Sequence, residues 1–185
     1  MIVVGAGFAG LGFEPLLPGA KHDANRGVRY GHAAKLFVGL GAPAPPSQTL
    51  SVPDRFWCYT QLDREARPAP FLASFAGSPA ALERLDVDRG PETWLHRPAS
   101  LRPDLALDHQ QVMLSTWHDD PWVRGAYFAR SVRSPMHTEE LARPLGALAF
   151  AGEHTAGEWH GLMEGRCGAA SALRVISWRA ARTRQ

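Results

Sequence analysis

Residues 148–173 read LAFAGEHTAGEWHGLMEGRCGAASAL, and this stretch decides the fold class. A continuous apolar run predicts a buried strand over 145–152, and a glycine followed by an acid predicts a tight turn directly after it. Behind the turn, apolar residues recur at helical spacing, and arginines follow where cations suit the end of a helix. The segment therefore predicts strand, turn and helix, with Gly152 and Glu153 at the turn.

The opening stretch, MIVVGAGFAG, predicts another strand that runs into a glycine-rich phosphate loop. In Gly5-x-Gly7-x-x-Gly10 one glycine makes the turn, the next admits a pyrophosphate and the third lets a helix pack on the strand. A complete fingerprint also needs a following helix and an acid about 20 residues on, at the end of a second strand. Residues 14–27 instead have the proline- and glycine-rich composition of a loop, and Asp23 follows no predicted strand. The glycine motif alone is therefore weak evidence for a dinucleotide site.

Short strands and helices alternate between these two ends. On the strand predicted for 34–40, Leu36 and Leu40 share one face, and Lys35 lies on the other. The remaining elements are further strands over 56–62, 71–77 and 111–117, helices over 79–88 and 91–102, a proline-rich connection over 41–48, and a turn with extended chain over 119–128. The pattern predicts a mixed α/β chain.

Composition excludes several classes of protein. A chain of 185 residues that is 45% hydrophobic and 21% charged is typical of a globular domain, neither disordered nor membrane-spanning. The net charge is only +2 and the arginines are scattered, which argues against a nucleic-acid face. Two cysteines form no disulfide framework and no metal spacing, so we expect a reduced, cytoplasmic protein with Cys167 in the core of the last helix.

Taken in order, these motifs resemble those of the flavin-containing amine oxidases, the family of the monoamine oxidases and polyamine oxidases. The stretch 148–173 resembles the carboxy-terminal FAD-binding segment of that family, and STWHDDPWVRGAY (115–127) is similar to its tryptophan, Asp-Pro, Gly-x-Tyr stretch. YGHAAKLFVGL (30–40) looks like the strand that carries its active-site lysine, and GAGFAGL like its phosphate loop. The resemblance implies an enzyme that oxidises a small-molecule amine to an imine and reduces O₂ to H₂O₂.

The resemblance also implies an α/β (α+β) fold with two lobes. Residues 1–40 and 145–185 would form an incomplete, Rossmann-like FAD-binding lobe, and 41–144 the remnant of a mixed-sheet substrate-binding lobe. Family members are usually more than twice as long. We expect an internal deletion after the phosphate loop, which removes the rest of the first helix, the second strand with its ribose-binding glutamate and much of the substrate domain.

The resemblance assigns roles to residues position by position. Glu153 would bind the ribityl chain of the flavin, and the backbone N–H of Met163 would approach the pyrimidine end of the ring, where a helix N-terminus suits negative charge. Lys35 corresponds to the lysine that holds a water near flavin N5, and Tyr127 to one aromatic wall of the substrate cage. The residues expected to bind the cofactor are Gly5, Gly7, Gly10, Gly152, Glu153 and Met163.

Two departures from the family pattern limit these assignments. Leu162 stands where many amine oxidases have the second aromatic wall, so we do not expect a two-walled cage. Ala126 stands where the mitochondrial monoamine oxidases have the cysteine that bonds to flavin, so the FAD is expected to be non-covalent.

Each residue also has a simpler interpretation. Taken alone, Lys35 is typical of the exposed face of a half-buried strand, and Glu153 is typical of a loop beside a helix. Tyr127 is typical of a residue in the hydrophobic core. Trp117, Asp120 and Pro121 would shape their region, and His154 and Thr155 would line the cofactor. His118, His154 and His160 have no spacing that suits a metal ion, so no metal site is predicted.

Two alternative functions stay open. The chain could be a truncated, catalytically inactive member of the family that binds no FAD, as the missing ribose-binding acid suggests. A small nicotinamide-dependent reductase is weaker, because the helix and acid that should follow the glycine loop are absent from the sequence.

Overall fold

A computed structural model describes residues 2–4, 13, 16–121, 123–129, 138–159 and 167–168. The chain forms two compact units, one of Met1–Gly31 with Asp119–Gln185 and the other of His32–His118. The lobes predicted from the sequence are defined by what they bind, and their boundaries stay a prediction.

The described elements follow one another as short strands and helices. In chain order the strands are β1 (Ile2–Val4), β2 (Arg29–Tyr30), β3 (Ala34–Leu40), β4 (Ser47–Ser51), β5 (Phe56–Leu62), β6 (Pro68–Ala76), β7 (Leu107–Thr116), β8 (Phe128–Ala129) and β9 (Leu148–Phe150). The α-helices are α1 (Gly19–Gly27), α2 (Pro79–Arg84), α3 (Glu92–Leu101) and α4 (Thr138–Ala142), and 3₁₀ turns span Val87–Arg89, Glu153–Thr155 and Gly157–Trp159.

The first unit combines two small sheets with helices α1 and α4. β1 pairs with β9 in parallel, and β2 pairs with β8 antiparallel. α1 packs on α4, and a small core forms between them and the end of β9. The buried apolar residues of that core are Leu17, Ala24, Val28, Leu141 and Phe150.

The second unit is a five-stranded antiparallel sheet with helices α2 and α3 against one face. The strand order is β4-β5-β6-β3-β7. On β3, burial alternates residue by residue, as a strand with one covered face requires. Residues such as Leu36 and Leu72 are fully buried on the covered face, where Phe56 meets Trp94 of α3 edge to face at 6.1 Å.

Several predicted elements are confirmed, and three predictions are wrong in whole or in part. The strands over 34–40 and 56–62 are β3 and β5, and the helices predicted for 79–88 and 91–102 are α2 with its following 3₁₀ turn and α3. The other predicted strands begin or end elsewhere: β6 starts at Pro68, β7 at Leu107, and β9 covers only Leu148–Phe150.

The loop predicted for residues 14–27 is wrong, because Gly19–Gly27 forms helix α1. Pro18 stands just before the helix, where proline costs little, and its carbonyl accepts a hydrogen bond from His22 N at 2.8 Å. The buried face of α1 is formed by Lys21 and Ala24, so tertiary packing overrides a glycine-rich sequence with weak intrinsic helix propensity.

The proline-rich connection predicted over 41–48 is also partly wrong, because β4 begins at Ser47 and pairs with β5. The β4–β5 turn is closed by Ser51, whose hydroxyl donates to the Asp54 carboxylate at 3.0 Å. Cys167 is exposed, so its predicted place in a core is wrong as well. Across the part of the chain that the structure describes, no helix is long and apolar enough to span a membrane.

Candidate functional site

The parallel pair β1 and β9 brings together two segments that are far apart in the sequence. Ile2 lies opposite Leu148, and Val4 lies opposite Phe150. Because paired parallel strands end at the same edge, Val4 and Phe150, the last residues of the two strands, lie side by side at one edge of the sheet. Val4 precedes the predicted phosphate loop, and Phe150 precedes the turn with Gly152 and Glu153. Ligands of open α/β sheets bind at this carboxyl edge.

The turn after β9 is closed by hydrogen bonds around Gly152. Gly152 N donates to Thr155 Oγ1 at 3.1 Å, and the Thr155 hydroxyl and backbone N–H donate to Gly152 O at 2.8 and 3.0 Å. These bonds hold Glu153 at the start of the 3₁₀ turn, in a half-buried position. Thr155, which was expected to line a cofactor, builds the turn itself.

Gly152 is required by a close approach of His154. A Cβ at position 152 would overlap Cε1 of His154 and lie 2.9 Å from its Nδ1. The His154 side chain is fully buried. Burial lowers the pKa of His154 to about 4, with a further lowering by the nearby positive charge of Lys21, so the imidazole is neutral at pH 7.

Lys21 of α1 is a buried cation that binds the end of α4. Its Nζ donates to the backbone carbonyls of Glu140 at 2.6 Å, Leu141 at 2.6 Å and Arg143 at 2.9 Å. The ammonium also lies 3.7 Å from the ring centroid of Phe150, the last residue of β9. The side chain therefore connects α1, α4 and the strand that leads into the Glu153 turn.

Burial lowers the pKa of Lys21 to about 8; Glu140 opposes this lowering and Arg143 adds to it. The group is therefore mostly protonated at pH 7, which suits the free carbonyls and negative dipole at a helix C-terminus. Neither the burial of Lys21 nor the structural position of His154 was predicted from the sequence. One signal was available: Lys21 and Lys35 are the two lysines of the chain, in which the other basic residues are arginines.

Tyr127 lies in a loop that is fixed by backbone bonds to the segment after β2. Gly31 N donates to Tyr127 O at 2.7 Å, and Ala126 N donates to Gly31 O at 2.9 Å. Gly125 has a φ of +150°, and a Cβ there would come within 2.6 Å of Tyr30 Cβ, so this approach requires glycine. The Tyr127 side chain is 45% exposed, which leaves its ring accessible to a ligand.

Asp120 shapes the start of this loop, as the sequence predicted. Its Oδ1 accepts a hydrogen bond from Val123 N at 3.0 Å, and its backbone carbonyl accepts one from Arg124 N at 2.8 Å. The residue closes a turn in the manner of an Asx cap. A catalytic role is not needed to explain it.

Lys35 lies in the second unit, near the start of β3, between β6 and the edge strand β7. It pairs with Phe75 of β6 on one side and with Ser115 of β7 on the other. The side chain is half-buried on the face away from α2 and α3, as the alternation of β3 predicted. Among the other sequence-predicted site residues, Tyr127, Gly152 and Glu153 belong to the first unit, whereas Gly5, Gly7, Gly10 and Met163 lie outside the described residues.

The residues that the structure describes form no metal-binding site. Among the described residues there is no group of three His, Cys, Asp or Glu side chains that could hold a metal ion. His118 stacks on His32 with ring centroids 5.3 Å apart, and its Nε2 lies 3.4 Å from an Asp88 carboxylate oxygen. These contacts account for the position of His118, which follows the end of β7.

Comparison with known proteins points to one family. A family model described as flavin containing amine oxidoreductase matches residues 1–170. Cyclohexylamine oxidase from Brevibacterium oxydans IH-35A is similar over 92% of this chain, with a TM-score of 0.66 and 22% sequence identity. A triple mutant of putrescine oxidase, from a structure-based redesign of cofactor binding, is similar over 95% of this chain, with a TM-score of 0.73 and 19% identity.

These matches confirm the predicted mixed α/β fold class, and at such identities the likeness concerns the fold alone. The chain covers 41% of the length of the cyclohexylamine oxidase chain and 42% of the putrescine oxidase chain. It therefore spans less than half the length of these two solved structures.

Proposed function

Since this chain belongs to the flavin containing amine oxidoreductase family, we propose that it is an FAD-dependent oxidoreductase that converts an amine to an imine and O₂ to H₂O₂. The observation that carries the proposal is the register of β1 and β9. In this register Val4, which precedes the predicted phosphate loop, and Phe150, which precedes the Glu153 turn, lie at the same edge of the sheet.

The described residues at that edge fit a bound dinucleotide. Gly152 lets the buried His154 ring pack against the turn, and Glu153 adds a carboxylate that can accept from ribityl hydroxyls. By the family resemblance, Gly5, Gly7 and Gly10 would hold the pyrophosphate, and Met163 would hold the ring. When bound, FAD supplies the two-electron acceptor for the amine and returns those electrons to O₂.

The protein residues proposed to act on the substrates are Lys35 and Tyr127. The Lys35 ammonium would hold a water and stabilise negative charge that develops on O₂. The exposed Tyr127 ring would orient the amine by its aromatic face. With Ala126 beside it, the chain has no cysteine at the position of the covalent flavin bond, which supports a non-covalent cofactor.

The proposal also covers the binding partners and the cellular location of the protein. We expect a small-molecule amine as its partner, and neither a nucleic acid nor a membrane. Scattered arginines and the scarcity of cysteine support this expectation and a cytoplasmic location.

The visible spectrum of the purified full chain tests the proposal directly. After incubation with FAD and removal of the excess, we expect flavin absorbance that approaches one FAD per chain and that bleaches when an amine substrate is added without oxygen. A chain that stays colourless after FAD is added would refute this function.

Glu153→Gln is expected to weaken FAD retention roughly tenfold, because the amide cannot replace the charge-assisted bonds that a carboxylate accepts. Glu158→Gln is the matched control, since Glu158 is exposed in the next 3₁₀ turn. The measurement is the FAD dissociation constant by equilibrium dialysis. Equal constants for the two variants would remove Glu153 from the cofactor site.

Lys35→Met is expected to slow reoxidation of the reduced protein by O₂ roughly tenfold or more, because a positive charge at the reaction centre is lost. Lys35→Arg keeps the charge and is expected to recover part of the rate. The return of flavin absorbance after mixing with oxygenated buffer gives this rate. Unchanged kinetics in Lys35→Met would contradict the assignment.

A second candidate function is an inactive family member that binds no FAD. The sheet of β1 and β9 has two strands among the described residues, so β1 has no second neighbour there to carry a ribose-binding acid. The chain also spans less than half of the similar solved structures. A colourless protein that is folded by circular dichroism would support this candidate.

A further inference from the structure

The sheet of the second unit ends in two edge strands, β4 and β7. Among the described residues, each of them has a paired strand on one side only, because the strand order is β4-β5-β6-β3-β7. The other side of an edge strand presents backbone N–H and C=O groups that can pair with a further strand, and proteins protect such edges with short strands, prolines, charges or bulges. An edge without these features is therefore a candidate contact surface.

The edge at β4 is protected by its length and by prolines. β4 has five residues, Ser47–Ser51, with Pro46 directly before it and Pro53 shortly after it. Proline has no N–H to donate, so a partner strand gains no bond from the N–H of either flanking proline. This edge therefore offers little length for pairing.

The first half of β7 is protected by an irregular register. The pairing with β3 shifts between Val38 and Gly39, and residues 109–111 are extra residues on β7. Within this irregular stretch, the Asp108 carboxylate accepts a hydrogen bond from Gln110 N at 2.9 Å. Irregularities of this kind bend an edge away from a partner strand and interrupt the row of groups that it would bind.

The second half of β7, residues 112–116, lacks all of these protective features. It pairs with residues 34–38 of β3 in regular register, and it contains no proline and no charged residue. Met113 within it is 58% exposed. A regular, uncharged and exposed edge is the kind that pairs with another strand. We call residues 112–116 the open edge.

The hydrophobic core is incompletely covered beneath the open edge. Leu36 and Val38 of β3 are fully buried. Their partners on β7, Leu114 and Val112, pack against the same core but are only half-buried. Apolar side chains that still contact water are stabilised when further apolar surface covers them. A strand added beside the open edge, with apolar residues on the side of the helices, would complete this cover.

From these features we propose that the open edge pairs antiparallel with the open edge of a second copy of this chain, around a two-fold axis at Leu114. In this register Val112 lies opposite the partner's Thr116, and Met113 lies opposite the partner's Ser115. Pairs of apolar and β-branched residues stabilise neighbouring strands, and here they form on the side of the core. The two sheets then form one continuous sheet.

Charge favours a second copy as the occupant. β7 carries one acid, Asp108, and neither lysine nor arginine. Asp108 lies six residues from the axis at Leu114, so the two carboxylates are about 40 Å apart at about 3.4 Å per residue. This separation far exceeds the Debye length of about 8 Å at physiological salt, so their repulsion is screened. A second copy therefore fits the open edge with neutral residues opposite one another.

Two exposed apolar residues lie at this contact. Met113 is 58% exposed, and Trp117, directly after β7, is 47% exposed. In the proposed register position 117 is diagonal to the partner's position 113, a spacing of about 7 to 8 Å that aromatic and long side chains bridge. A thioether packs favourably against an aromatic ring. Tryptophan and methionine are also enriched at protein–protein interfaces, so the pairing uses both residues.

The contact is small, since five residues of each copy pair. Interfaces below about 1,200 Å² are typical of weak, transient complexes, so we expect a dissociation constant in the micromolar range. Sedimentation velocity of the full chain over a concentration series should show a reversible equilibrium of monomer and dimer. A chain that stays monomeric at several hundred micromolar would overturn the proposal. So would assemblies that grow beyond the dimer, because a two-fold contact closes at two copies.

Charged substitutions at positions 113 and 115, which lie opposite each other across the axis, locate the contact. Met113→Glu with Ser115→Glu places like charges opposite each other twice, and Met113→Lys with Ser115→Glu places opposite charges there twice. Ser115→Glu lies beside Lys35 of β3 in both variants, so that contact is matched. We expect the dimer of the first variant to dissociate with a constant at least fivefold higher. Equal constants would overturn the proposed register.

Cross-linking tests the register independently of charge. Leu114→Cys in a Cys167→Ser background places two thiols at the axis, whereas the native Cys58 is buried. Leu50→Cys in the same background is the matched control, because Leu50 is exposed on the protected edge strand β4. Under mild oxidation we expect disulfide-linked dimers at least fivefold faster for Leu114→Cys. Equal rates, or faster linkage through position 50, would overturn the pairing of the open edges.

These measurements need neither FAD nor turnover, so they separate the dimer from the proposed function. A chain that takes up FAD but stays monomeric would refute the dimer alone. A chain that forms the dimer but stays colourless with FAD would refute the oxidoreductase alone.

Discussion

Lys21→Met is expected to destabilise the first unit by about 2 to 4 kcal/mol at pH 7, because three hydrogen bonds to backbone carbonyls are lost together. Bonds from a charged donor are each worth about 1.5 to 3 kcal/mol, so the three contribute about 5 kcal/mol or more. Against this stands the cost of burying the charge, about 3 kcal/mol for a pKa lowered to about 8. The three bonds therefore stabilise the folded chain at pH 7, although burial still disfavours the charged amine relative to the neutral one.

Hydrogen exchange locates the effect of this substitution. We expect faster exchange in Lys21→Met for the segment that contains α4, β9 and the Glu153 turn, and little change for β3 and β5. Lys35→Met is the matched control, because it removes the other lysine from a half-buried strand position, and we expect a change below about 1 kcal/mol.

The pH dependence of the same variant has a definite sign. Lys21 has a lower pKa in the folded chain, about 8, than the ordinary value of 10.5. Between these values the unfolded chain binds a proton that the folded chain does not, so the free energy of unfolding rises with pH by up to about 3 kcal/mol. The stability difference between wild type and Lys21→Met should therefore grow from pH 7 to pH 10.5.

Urea unfolding at the two pH values measures this growth. In the difference between the unfolding free energies of wild type and variant, the contributions of the other titrating groups cancel. A Lys21→Met protein as stable as wild type, or a difference that shrinks at high pH, would contradict the assigned role of Lys21.

Local patterns in the sequence predicted much of the second unit. The alternation of apolar residues placed Lys35 on the face opposite Leu36, because a strand with one covered face repeats every two residues. In the first unit, another local signal placed the turn at Gly152 and Glu153, since an apolar run that stops at glycine and an acid ends a strand. Such signals depend only on neighbours in sequence.

Contacts between distant residues explain what the sequence did not predict. The carbonyls that Lys21 binds are 119 to 122 residues away, so nothing near Lys21 indicated its burial or the helix around it. His154 was expected to line a cofactor, and that role stays a prediction; the structure shows its imidazole buried against Gly152, two residues away. For Lys21, the distant partner decides the role of the residue.

Gly152→Ala is the second substitution with a large expected effect, about 1 to 3 kcal/mol of destabilisation together with weaker FAD retention. The φ of Gly152 is 169°, an extended conformation that alanine adopts readily, so backbone strain is not the cause. The cause is the overlap of the new Cβ with the His154 ring, which is fully buried in a close-packed interior. Glu153 lies between these two residues, so relief of the overlap displaces its carboxylate.

A double-mutant cycle with His154→Ala isolates this overlap. If the His154 ring is the obstacle, Gly152→Ala should cost at least about 1 kcal/mol less in the His154→Ala background than in wild type. Gly19→Ala is the matched control, since a Cβ at this helical position meets nothing within 4 Å. Equal costs of Gly152→Ala in both backgrounds would show that His154 does not require the glycine, and that the Glu153 turn depends on another contact.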